Sequence, residues 1–178
     1  SFGEEDRQGY MIAANAFLPT MLDTNGAKND SKTNEGERFA DLYTGAGDPA
    51  SYDLNYAGSL FAADASFPVI TAAETHLILA EAAYRSTDKA GAITHLNHVR
   101  QALAVKYPAG QYDDYVDGDF ATLDDVFHAI MMEKYASLVG QIEVYNDIRR
   151  TKNEIGLTPK GTNNKLPQRY LIPQDEIN

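Results

Sequence analysis

The residues best suited to chemistry in this chain are tyrosines set among acids and amides in its first third: Tyr43, Tyr52 and Tyr56, interleaved with Asp41, Asp48, Asp53 and Asn55. An aromatic face stacks on the apolar C–H surface of a ring-shaped ligand, while amides and carboxylates beside it bond the ligand's polar rim. Tyr43, Tyr52, Tyr56, Asp53 and Asn55 are therefore the candidate ligand platform. The competing reading, amphipathic surface and packing tyrosines, has more weight for any one of them. Eleven Tyr and seven Phe stand against no Trp, so any stacking surface is built largely from tyrosine.

Other chemistry-bearing patterns are weaker. His95 and His98 lie three apart on a predicted helix, a spacing that holds a metal only when further ligands converge. With no cysteine in the chain and Asn97 and Arg100 beside them, a structural or solvent-facing role is the favoured reading. Asp113, Asp114, Asp117, Gly118, Asp119 and Asp124 form an acidic stretch resembling a calcium loop, but Tyr115 stands where an oxygen ligand belongs and no Glu closes the loop. A solvated acidic loop is expected instead. Glu81 and Arg85 are spaced i, i+4, as are Glu143 and Asp147, and Arg149 and Arg150 fall near a helix end. These read as structural charges, with at least one arginine partly buried on a carboxylate such as Glu133. No nucleophile elbow, phosphate loop, dinucleotide fingerprint or His-Glu-x-x-His pattern occurs. Carboxylate pairs can be chosen at will from 26 acidic residues, so a glycosidase site has no positive support and no cofactor is called for.

The elements that must position these groups change character near Pro68. Before it, Asn25-Gly26, Asn29-Asp30-Ser31 and Gly45-Ala46-Gly47-Asp48-Pro49 carry turn chemistry, and 1–66 is expected to be loop-rich, with a turn of helix or a short strand between Tyr10 and Leu18. Beyond it, Ala73, Leu77, Ala80 and Tyr84 form one helical stripe ending near Arg85. Ser86-Thr87-Asp88 offers caps for a second helix with Ile93, Leu96, Val99 and Leu103 on its buried face, stopping before Pro108. Thr122 with Asp125 resembles a capping box opening a third helix, whose stripe is Val126 or Phe127, Ile130, Met131, Tyr135 and Leu138. After Gly140, the residues Ile142, Tyr145 and Ile148 mark a fourth helix ending near Asn153. Tyr170-Leu171-Ile172, in a proline-punctuated tail, is expected to pack back on the helices.

The fold expected is mainly α: tetratricopeptide-like helical hairpins with long irregular loops, in one domain whose scaffold occupies 67–178. A net charge of −11 argues against nucleic acid and anionic lipid as partners. The lack of cysteine excludes disulfide scaffolds and thiolate chemistry.

Three stretches resemble one family when taken in order. They are Phe67 to Ala82 followed by Leu96-Asn97-His98-Val99-Arg100; Met132-Glu133-Lys134-Tyr135 followed by Gln141 to Thr151; and Leu166 to Asn178. Together they are similar to the C-terminal part of the SusD/RagB family of Bacteroidota. That resemblance implies a SusD-like fold and a non-catalytic surface lipoprotein for nutrient uptake. It implies oligosaccharide or peptide ligands held by loop aromatics, and a TonB-dependent, SusC-like outer-membrane transporter as partner. It further implies a longer protein, with a secretion signal, a lipid-attachment cysteine and more helical repeats upstream of this segment. A helical-repeat adaptor that binds only protein, and a glycoside hydrolase fragment, are the alternatives.

Overall fold

A computed structural model describes residues 12–66, 68–158 and 166. The scaffold begins where Thr71 caps a helix by accepting a hydrogen bond from the Glu74 amide at 3.0 Å. That helix, α3 in the order of the chain, spans Ala72–Arg85 and buries Leu77 and Ala80 completely. A tight turn reverses the chain at Thr87, whose φ of 61° is uncommon for a β-branched residue. Asp88 then caps α4, Lys89–Lys106, accepting from the Gly91 amide at 2.8 Å. The predicted stripe of Ile93, Leu96, Val99 and Leu103 is buried throughout. Thr122 and Asp125 close the expected capping box, with Asp125 N donating to Thr122 Oγ1 at 3.1 Å and Thr122 N to Asp125 Oδ2 at 2.7 Å. They open α5, Leu123–Ser137, which packs across both α3 and α4. Tyr84 of α3 stacks on Phe127 of α5, the ring centroids 4.3 Å apart and the planes 11° from parallel.

Gly140, at φ 82°, is the break between α5 and α6, Ile142–Arg150. Here the structure corrects the expected packing face. Ile142 is 48% exposed, and it is Val144, Ile148, Thr151 and Ile155 that meet Met131 and Tyr135 of α5. Val144 and Ile148 stand at i and i+4 on α6, a face displaced from the one expected, while Thr151 and Ile155 join from the turn beyond its end at Arg150.

The first third is more ordered than its turn chemistry suggests. It contains α1, Phe17–Leu22, and α2, Gly36–Leu42, both short and apolar on their inner sides. It also contains three of four two-residue strands: β1, Thr33–Asn34; β2, Tyr43–Thr44; and β3, Asp53–Leu54. Strands β2 and β3 pair antiparallel, Tyr43 opposite Leu54. Strand β1 pairs antiparallel with β4, Gln111–Tyr112, placing Thr33 opposite Tyr112 and joining the first third to the loop that follows α4. Leu18, Met21, Leu22, Phe39 and Leu42 share one buried cluster with Leu96, Val126 and Ile130. Among the described residues, no helix is long and apolar enough to cross a membrane. The expected packing of Tyr170-Leu171-Ile172 lies outside the described residues.

Candidate ligand-binding site

The joint between the first third and the helices is held by buried charge. Lys28, Glu35 and Arg38 come from the first third and Glu133 from α5; all are nearly inaccessible. Arg38 Nη1 lies 3.0 Å from Glu133 Oε1 and 3.5 Å from Glu35 Oε2, while Lys28 bonds Glu133 and lies 3.4 Å from Glu35. Ser137 Oγ donates to Glu133 at 2.7 Å and Tyr112 OH to Glu35 at 2.9 Å. Two cations and two anions balance, as a buried ionic cluster requires. Burial alone raises a carboxyl pKa, but Lys28 and Arg38 outweigh it and hold Glu133 below the ordinary carboxylate value.

Beside this cluster the joint opens into a cleft of about 450 Å³, within the usual range for small-ligand sites. Its lining includes Asp30, Ser31 and Lys32, Arg100 of α4 and Met132 of α5, and Tyr115, Asp119 and Phe120 of the acidic loop. Arg100 is 1% exposed and fixes that geometry. Its Nε donates to the Asp113 carbonyl at 2.7 Å, and its Nη2 to the Lys32 carbonyl at 2.8 Å and Thr33 Oγ1 at 3.0 Å. The guanidinium carbon also sits 3.8 Å from the Tyr115 ring centre. Tyr115, half-buried, donates to Asp30 at 3.0 Å and meets Phe120 edge-on, centroids 5.0 Å apart. The cleft thus joins two aromatic side chains to a rim of carboxylate, amine and imidazole groups, including His128.

The tyrosines selected from sequence fall elsewhere. Tyr43 and Tyr52 are 5% and 4% exposed, so their rings have no open face for a ligand. The reason is packing: Phe39 meets Tyr43 at 5.8 Å and Tyr52 edge-on at 5.4 Å, and Tyr52 OH donates to buried Asp23 at 2.6 Å. Burial pushes the Tyr52 hydroxyl up to about 12, aided by its bond to Asp23. As a stacking platform the expected set is thereby reduced to half-buried Tyr56 and Asn55 and exposed Asp53. Asn55 has a structural task as well, donating to the Ala40 carbonyl at 2.7 Å.

The acidic stretch does not converge. Asp119 takes Lys32 at 2.6 Å, Asp117 takes Lys89 at 2.9 Å, Asp114 takes Gln101 at 3.0 Å and Asp124 takes the Tyr84 hydroxyl at 2.8 Å. Arg150 pairs with carboxylates as expected but stays 36% exposed, and its partners are Glu81 and Asp147 rather than Glu133. Glu81 also bonds Arg85 at 2.7 Å and lies 3.5 Å from Lys134. Burial opposes ionisation there, yet Arg150 and Arg85 prevail and bring the Glu81 pKa down to about 2. His95 and His98 are joined by a residue not singled out in the sequence, His76 of α3, whose Nδ1 lies 3.3 Å from that of His95.

Sequence reasoning missed Lys28, Arg38 and Arg100. A signal existed for two of the buried charges: Arg100 follows Ile93 and Leu96 at helical spacing, and Glu133 sits inside the Ile130 to Leu138 stripe. A charge on an apolar face requires a buried partner.

The fold is thus mainly helical, with a cleft where the first third meets α4 and α5. A family model described as the SusD family matches residues 53–170, well over half of the chain, and the chain belongs to that family. SusD family proteins are nutrient-binding proteins, glycans being their general class of ligand. The match starts upstream of Phe67, so it takes in β3 and Tyr56 as well as the helices. No match was found among curated proteins or among solved structures.

Proposed function

We propose that this chain is the scaffold-bearing portion of a non-catalytic cell-surface subunit that captures an oligosaccharide or similar nutrient for a TonB-dependent, SusC-like outer-membrane transporter. The observation that carries this reading is the family match, and the cleft between the first third and α4–α5 supports it. Tyr115 and Phe120 supply apolar ring surface, and Asp30, Lys32, Asp119 and His128 supply the polar rim. A lipid anchor outside this segment holds the protein at the outer membrane. The transporter-facing side is the helical hairpin, where Ile78 and Leu79 of α3 are 52% and 42% exposed.

Calorimetry of the full-length protein against a panel of glycans and peptides tests this. Saturable binding by the wild type, weakened about tenfold or more by Phe120→Ala with the helical circular dichroism intact, is the expected result. Loss through Tyr56→Ala instead moves the ligand to the loop after β3. Failure to bind any of the panel while a barrel protein co-purifies favours an adaptor. Turnover of a ligand, abolished by changing one carboxylate, favours a hydrolase.

A further inference from the structure

We infer that His76, His95 and His98 form a site for a borderline divalent transition metal, zinc in the first instance, that clips α3 to α4. The hairpin brings one histidine of α3 against two on consecutive turns of α4. One donor nitrogen from each of the three lies within 4.8 Å of the others. Zinc holds imidazole nitrogen at about 2.0–2.1 Å, which in a tetrahedron separates ligand nitrogens by about 3.3–3.4 Å. The His76 Nδ1 to His95 Nδ1 distance is already 3.3 Å. The widest pair therefore closes by about 1.4 Å to complete the set, and His98, the exposed member, has room to turn its ring.

The donor set also points to the class of cation. Among the described residues the group is purely imidazole, which suits zinc, copper or nickel and gives calcium and magnesium no oxygen ligand. Three protein ligands leave a fourth position for water. The hairpin geometry adds that two of the ligands come from a helix and the third from its antiparallel neighbour, so coordination resists separation of α3 from α4. This site is independent of the nutrient cleft: neither its residues nor its ligand chemistry are shared with it.

Titration of the chelator-stripped protein with zinc chloride by calorimetry, with cobalt(II) absorption as a second readout, tests the inference. The expected result is one saturable equivalent per chain, tetrahedral-type visible absorption with cobalt, and a higher melting temperature in zinc. His98→Ala, at an exposed position, should lower the affinity at least about tenfold without altering the helical signal. His128→Ala, at the rim of the nutrient cleft and outside the histidine trio, should leave the zinc affinity unchanged. Absence of saturable binding, equal affinity in His98→Ala, or equal loss in His128→Ala overturns the assignment.

Discussion

At the scale of the residue, this protein places charge where its sequence pattern promises apolar contact. Glu81 faces inward from α3 at 7% exposure, and Lys134 on α5 is 6% exposed, yet neither is left uncompensated. Arg150 and Arg85 close on Glu81 from two sides, and that is why its pKa falls from an ordinary 4.5 to about 2 in spite of burial. A carboxyl whose folded pKa is depressed stabilises the fold fully above its unfolded value and loses that contribution as pH falls through the folded value. Glu133, held down by Lys28 and Arg38, acts with the same sign. The contribution of these two carboxylates should accordingly be in full force above their unfolded value and be lost between about pH 4.5 and 2, and Glu81→Gln should make that acid limb of the melting temperature shallower. An acid limb equally steep in the variant, followed by scanning calorimetry, would show that Glu81 is not among the groups responsible. That an arginine of the Arg149-Arg150 pair would meet a carboxylate was legible from its position; which carboxylate was not. Spacing along one helix says nothing about which neighbour the same face meets, and Glu81 is 69 residues away.

Elements were legible in proportion to their own periodicity. Helices α4 and α5 begin at the caps read from the sequence, Asp88 and Thr122, and α3, α4 and α5 each turn the apolar stripe expected of them toward the core. Helix α6 was harder. Ile142 and Val144 are both apolar, and the choice between their faces is made by α5 rather than by the helix itself. Helices α1 and α2 were illegible because they span only six and seven residues and lack side-chain caps, so tertiary packing decides them. The start of α4 offers a sharper test. Glycine within a first turn costs about 1 kcal/mol of helix propensity relative to alanine. At Gly91, however, an added Cβ would stand 2.3 Å from Asp88 Oδ2, the capping carboxylate. Gly91→Ala should therefore displace the cap, worth about 1 kcal/mol, and leave stability nearly unchanged. In an Asp88→Ala background the same substitution should stabilise by about 1 kcal/mol. Urea unfolding of the four proteins in this cycle measures the difference. Equal effects in both backgrounds would mean that the cap and the glycine act independently.

At the scale of the whole molecule, the question is whether the first third is a docked appendage or part of one cooperative structure. Its loop-like sequence leaves the question open, because turn residues mark where the chain reverses, not whether the reversed chain is buried. Tyr43, Tyr52, Phe39 and Leu42 sit in the common core, and strand β1 takes its partner from beyond α4. Glu133 is the strongest test of unity, since it joins α5 to both Lys28 and Arg38. Glu133→Gln keeps the shape of the side chain but leaves an excess of buried positive charge, a change that costs about 3–5 kcal/mol when one partner of a buried pair is removed. If the molecule unfolds as one unit, amide hydrogen exchange should show the slowest amides of α2 and α5 losing protection by the same amount in the variant. Loss confined to α2, with α5 unaltered, would instead identify the first third as a separately opening lobe. The distinction bears on capture as well as stability. The cleft takes Lys32 from one side of this joint and Arg100 and Phe120 from the other. A cooperative joint presents both walls to a ligand already in place, whereas an opening lobe would make the ligand supply the free energy of closing it.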